Sequence, residues 1–187
     1  MKIAVLGTGM VGRAIAGRLQ ELGHSVAIGT RDPQATLART EPDGMGNPPF
    51  STWHGAHPAV ELATFADAAG GAELVVNASS GAATLELLEQ AGADNLAGKV
   101  LLDIANPLDY SAGFPPTLSV QDTDSLGEQV QRAFPQTKVV KALNTLTASL
   151  MVEPASLGES STVFVSGEDA AAKASVSSFW SPSVTTT

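Results

Sequence analysis

Six residues near the start of the chain, Gly7, Thr8, Gly9, Met10, Val11 and Gly12, carry the spacing G-x-G-x-x-G. The chemistry this spacing suits is the holding of a dinucleotide pyrophosphate. The first glycine permits a tight turn, the second lets phosphate approach the backbone, and the third lets a helix pack close against a strand. The pattern alone is weak, because glycines are common in turns. Here it follows the apolar run Ile3–Leu6 and opens an amphipathic stretch from about Met10 to Leu22, with Val11, Ile15, Leu19 and Leu22 on one stripe and Gly23 where a C-terminal cap belongs. A second apolar run, Val26–Ile28, then ends in Gly29-Thr30-Arg31. Folds that select NAD keep a carboxylate near this point to accept from the ribose 2′-hydroxyl. This chain offers the Thr30 hydroxyl and the Arg31 guanidinium instead, groups that match a 2′-phosphate. The cofactor expected from the residues is therefore NADP, carried as NADPH. The bland alternative makes Arg31 a solvated turn residue and Thr30 a cap for a helix starting at Pro33. Arg39 is read as a helix-surface residue.

Other groups fall at the ends of later apolar runs, where ligands of open α/β sheets lie. Ala78 and Ser79 follow Leu74–Val76 and are placed beside the ribose or nicotinamide. Asn106 closes the run Val100–Ile104, and Ala142 and Asn144 close the run at Val139–Val140. The two asparagines suit either a carboxamide or a neighbouring backbone turn. Lys141 suits a bound anion or a carbonyl, but pairing with Asp103 is the reading preferred for it. His24, His54 and His57 are read as solvated. Tyr110, the single tyrosine, has no lysine four residues on, so a Tyr-x-x-x-Lys acid is missing. No residue is assigned as a catalytic acid or base. With no cysteine and no ligand cluster, no metal site is assigned either.

Elements that would position these groups recur along the chain. The short apolar runs are continuous rather than alternating, as in parallel strands covered on both faces. Helices are expected near Pro33–Arg39, Ala82–Ala91, Ser125–Phe134 and Glu168–Ser178. A weaker strand, Val60–Thr64, follows a Pro/Gly-rich loop over Glu41–Pro58. The run Val163–Val165 is the last strand. The alternation implies an α/β, doubly wound, mostly parallel Rossmann sheet with helices on both faces. The 187 residues are read as one such domain, with an irregular or truncated polar tail from about position 175. A net charge of −9 argues against nucleic acid and anionic membranes as partners. No stretch approaches the roughly 20 apolar residues of a membrane span. A cytoplasmic protein is expected.

The segments through Gly12, with Gly23-His24, Gly29-Thr30-Arg31, Asn106-Pro107-Leu108 and Lys141-Ala142-Leu143-Asn144-Thr145, resemble the NADPH-dependent reductases of the deazaflavin coenzyme F-420. The likeness extends to about Asp169. It implies hydride transfer between nicotinamide and deazaflavin rings held face to face, with no strong protein acid, usually in a homodimer. It gives the cofactor role to Thr8, Gly9, Met10, Val11, Thr30 and Arg31. The tail departs from the pattern, since such chains continue beyond the helix at Glu168 with another strand and further helices that help to form the deazaflavin pocket. Two other functions stay open from sequence: an NADP(H)-binding module without turnover, and a reductase of a small carbonyl or imine.

Overall fold

The computed structural model describes residues 1–44, 46–180 and 184–186. In chain order the elements are β1 (Lys2–Leu6), α1 (Met10–Glu21), β2 (Ser25–Thr30), α2 (Pro33–Ala38), α3 (Phe50–Ala56), β3 (Glu61–Thr64), α4 (Phe65–Gly71) and β4 (Leu74–Asn77). They continue with α5 (Thr84–Ala91), α6 (Ala93–Leu96), β5 (Val100–Asp103), the short strands β6 (Leu108–Asp109) and β7 (Thr117–Leu118), α7 (Leu126–Ala133) and β8 (Lys138–Ala142). The last are α8 (Ala148–Val152), β9 (Ser161–Val163), β10 (Val165–Ser166), α9 (Ala170–Trp180) and β11 (Val184–Thr186).

A seven-stranded sheet runs in the order β10-β8-β5-β4-β1-β2-β3, parallel throughout except for β10, which pairs antiparallel with β8. Each central strand is buried on both faces, which is why its sequence reads as an unbroken apolar run. One core layer joins Ile3, Val5, Ile28, Leu102 and Val140 to Ile15 and Leu19 of α1 and Met151 of α8. The opposite layer joins Leu6, Val75, Leu101 and Val139 to Leu88 of α5 and Val130 of α7. The strand order reverses direction between β1 and β4, and the carboxyl ends on either side of that point form one edge.

Several elements differ from those expected. The run Val163–Val165 is two strands, because Phe164 between them is 67% exposed. β10 joins the main sheet, whereas β9 pairs in parallel with β11 in a separate two-stranded sheet. The loop Glu41–Pro58 contains α3, whose Phe50 is buried against the layer below α1. The tail expected from position 175 is helical as far as Trp180, with Val176 fully buried in the core. The rest of that expected tail at 181–183 and 187, and Met45 of the loop, lie outside the described residues. Leu22 leaves the buried stripe of α1: it is the exposed C-cap, followed by Gly23 at φ 84°.

The histidines read as solvated are half-buried and bonded. The His57 ring stacks on Trp53 at 4.2 Å, and its Nδ1 lies 2.8 Å from the Trp53 carbonyl. His54 Nε2 lies 3.0 Å from the Val60 carbonyl, and His24 meets the edge of Phe179 at 5.6 Å. They hold α3 and α9 against the domain. Among the described residues no cluster of three or more His, Asp or Glu side chains could hold a metal ion, and no helix is long and apolar enough to cross a membrane.

Candidate functional site

The glycine turn joins β1 to α1, and its three glycines answer to different demands. Gly7 has φ 128°, and a side chain there would run into the Ala78 carbonyl at 2.7 Å. A methyl group on Gly12 would lie 2.1 Å from the Gly7 carbonyl oxygen. Packing inside the protein accounts for both. Gly9 is different: its φ of −73° suits any residue, and a Cβ there would meet no atom within 4 Å. Its bare face opens outward at the N-terminus of α1.

That terminus has no side-chain cap and no acid in its first turn. The first bond of the helix is Arg13 N–H to the Gly9 carbonyl, 3.0 Å. The N–H groups of Met10, Val11 and Gly12 precede it and point out of the helix end, where the helix dipole favours an anion. Arg13 secures the turn. Its Nε donates to the Thr8 carbonyl at 2.8 Å, its Nη1 donates to the Pro48 carbonyl at 2.6 Å, and its guanidinium lies 5.6 Å from the Phe50 ring centroid. Burial pushes the Arg13 pKa down, against the opposing pull of Asp43. The only signal in the sequence was its place four residues after Gly9. A cleft of about 420 Å³ lies beside it, lined by Thr8, Arg13, Arg39, Pro49 and Phe50.

The tip of β2 separates the two residues expected to read the 2′-phosphate. Thr30 is buried and its hydroxyl bonds the Thr36 hydroxyl at 2.8 Å, so it ties β2 to α2. It does not cap α2 either: Asp32 Oδ1 takes that position, accepting from Ala35 N–H at 3.0 Å. Arg31 is 71% exposed and pairs with Glu86 at 3.3 Å. An exposed pair of this kind is worth at most about 1 kcal/mol, so a doubly charged phosphate can compete for the guanidinium.

At the other end of the same edge, strand register aligns Asn77, Asp103 and Lys141 across β4, β5 and β8. Asp103 is fully buried. Its Oδ1 accepts from Asn77 Nδ2 at 2.8 Å and from Ala105 N–H at 3.2 Å, and its Oδ2 accepts from Lys141 Nζ at 2.9 Å. Lys141 Nζ also donates to the Ala105 carbonyl. Asn77, unmarked by any sequence pattern, holds Ser79 as well: the Ser79 hydroxyl donates to Asn77 Oδ1 at 2.7 Å. Ala78 and Ala142 are buried, leaving only their backbone to border a ligand. Asn106 and Asn144 face each other, with Asn106 Nδ2 donating to the Asn144 carbonyl at 2.7 Å. Among the described residues no buried side-chain nitrogen or oxygen lacks a partner. Beyond the asparagines opens a second cleft of about 420 Å³, walled by Pro107, Leu118, Val120, Leu126 and Val139 with Lys141 at one side.

Residues 2–107 match the family described as NADP oxidoreductase, coenzyme F420-dependent. A crystal structure from Arthrobacter sp. FB24, provisionally described as an F420-dependent NADP-reductase, is 61% identical with a TM-score of 0.93, covering 100% of this chain and 84% of that one. A hypothetical protein from Sinorhizobium meliloti shares the fold at 23% identity and a TM-score of 0.75, covering 100% of this chain and 83% of that one. Metalloreductase STEAP3 of Rattus norvegicus is 29% identical over 147 residues, 79% of this chain, and the chain spans 25% of that protein's length. The glycine turn, the β2 tip and the Asn106 segment all fall within or at the border of the matched residues, and the chain belongs to the family of coenzyme F420-dependent NADP oxidoreductases.

Proposed function

We propose that the protein transfers hydride between NADPH and a deazaflavin, coenzyme F420, or a similarly planar electron carrier. The observation that carries this reading is the division of one sheet edge into a polar anion site and an apolar cleft. The uncapped N-terminus of α1 below Gly9 fits a pyrophosphate, and the cleft beyond Asn106 and Asn144 is walled by apolar groups suited to a ring. Bound NADPH supplies the hydride. The N–H groups of Met10, Val11 and Gly12 would hold its pyrophosphate, and Arg31 its 2′-phosphate, leaving Glu86 to do so. Ala78, Ser79, Asn106, Ala142 and Asn144 would border the nicotinamide half. Thr30 contributes indirectly, by fixing the β2 tip from which Arg31 projects.

Hydride transfer needs the two rings close and aligned, and fixing that geometry removes much of the barrier. Such chemistry asks for no strong acid or base from the protein. A homodimer, as the family resemblance implies, belongs to the same proposal. The test is to mix the protein with NADPH and oxidised coenzyme F420 and to follow the visible absorbance of the deazaflavin. Loss of that absorbance at a rate set by protein concentration is expected. Tight NADPH binding with no transfer would replace this reading with that of a binding module.

A further inference from the structure

We propose that Lys141 is a catalytic residue: its ammonium faces the acceptor in the cleft and stabilises the negative charge that the acceptor gains with the hydride. The inference rests on the proposed reaction and names the group that serves it.

The cleft contains one cation among the described residues. Its charged lining is Glu128 from the first turn of α7, Glu168 after β10, and Lys141 on β8. An ammonium has three N–H donors. Two are committed, to the fully buried Asp103 carboxylate and to the Ala105 carbonyl, so the third is left for the cleft. With a side chain 22% exposed, Lys141 is restrained from behind and open in front. Stability gives little reason for this arrangement. Buried ion pairs are often no more stabilising than apolar residues of similar size, because desolvation offsets the attraction. The surrounding layer, with Val139 and Leu101 two positions earlier on β8 and β5, shows that apolar side chains pack well on this face.

The chemistry gives the pair a use. When a hydride moves from the dihydronicotinamide to a ring carbon of the acceptor, the C–H bond that breaks leaves an oxidised pyridinium. The electron pair enters the acceptor and displaces charge onto its conjugated nitrogen and oxygen atoms. A proton from solvent then neutralises that charge. A fixed N–H donor at those atoms stabilises the anion as it forms, without having to give up its own proton. This places the acceptor in a defined class: a conjugated ring with a carbonyl or imide edge, turned toward β8.

Removing the lysine alone would leave Asp103 as an unpaired buried charge and risk the fold. The decisive variant is therefore Asp103→Asn with Lys141→Met, and Asp103→Asn alone is its control. Folding is checked by thermal unfolding, and NADPH affinity is expected to stay within about threefold, since neither residue contacts the pyrophosphate site. The double variant should lose about a hundredfold in the rate of hydride transfer to oxidised coenzyme F420, and Asp103→Asn, whose amide oxygen still accepts from Lys141, should lose markedly less. A second reading needs no turnover: the pKa of bound F420, followed by its visible spectrum across pH, should be lowered on binding to the parent and not on binding to the double variant. An unchanged rate and an unchanged dissociation in the double variant would overturn the role of Lys141 while leaving the reaction intact. A parent that neither binds nor reduces F420 would overturn the reaction itself, and this inference with it.

Discussion

Two helices begin at the same edge of the sheet and begin differently. α1 starts at Gly9 with no side-chain cap and no acid in its first turn. α7 starts at Ser125, whose hydroxyl accepts from Glu128 N–H at 3.2 Å, and Glu128 adds a negative charge to its first turn. A capped, acidic helix start has answered its own free N–H groups and repels an anion, whereas a bare one still has them to offer. The contrast separates the two halves of the edge. On the proposed function, the pyrophosphate goes to α1 and the cleft beside α7 is left for the acceptor ring.

The contrast can be broken at several points, with effects of decreasing size. Gly12→Ala should be the most damaging, because its Cβ would stand 2.1 Å from the Gly7 carbonyl. Overpacking against backbone costs about 3 kcal/mol or more here, read as a fall in urea midpoint. Arg31→Ala should weaken NADPH by about ten- to a hundredfold, the loss of one charge-assisted contact, and leave NADH unchanged. Equal losses for the two cofactors would take Arg31 away from the 2′-phosphate. Ser125→Ala should cost about 1 kcal/mol of stability through the lost cap, without altering NADPH affinity. If it altered that affinity, the two helix starts would not be independent.

The smallest effect concerns the segment leading into α7. Arg132 bonds both oxygens of Asp124 and holds its pKa down to about 2, with Gln129 assisting. A carboxyl depressed in the folded state stabilises above its ordinary value of 3.8 and loses that contribution as pH falls toward 2. Asp124→Asn should therefore lower Tm slightly at neutral pH, with the difference from the parent vanishing near pH 2. A difference that persisted there would mean the residue acts through packing instead.

Much of this was legible in the residues. Buried parallel strands announce themselves as apolar runs, and the glycine turn sits between two such strands, so β1, α1, β2, β4, β5 and β8 were found close to their bounds. α3 was hidden because Phe50 and Trp53, though at helical spacing, are too few in a short stretch rich in Pro and Gly to mark a helix, and the core they pack on comes from distant parts of the chain. α4 was hidden because Phe65–Gly71 is rich in alanine and glycine. The Asp103–Lys141 pair could be guessed from neighbouring strands, but its fixing by Asn77 and the Ala105 carbonyl depends on register between strands distant in sequence. The packing of Thr30 was hidden for a similar reason. Its spacing from the glycine turn matched a ligand contact, and nothing in the sequence revealed that Thr36 would turn back to meet it.

The central claim is that the dinucleotide lies across the bare start of α1, and Gly9→Val tests it most directly. Nothing within 4 Å of that position obstructs a side chain, and its backbone conformation is ordinary, so the variant should fold. A valine at a helix N-cap costs about 1 kcal/mol, a fall of roughly 2–4 °C in Tm. Calorimetric titration with NADPH should then show affinity reduced at least about a hundredfold, or about 2.7 kcal/mol, because the side chain fills the space the phosphates need. A folded Gly9→Val protein that binds NADPH as tightly as the parent would contradict the account.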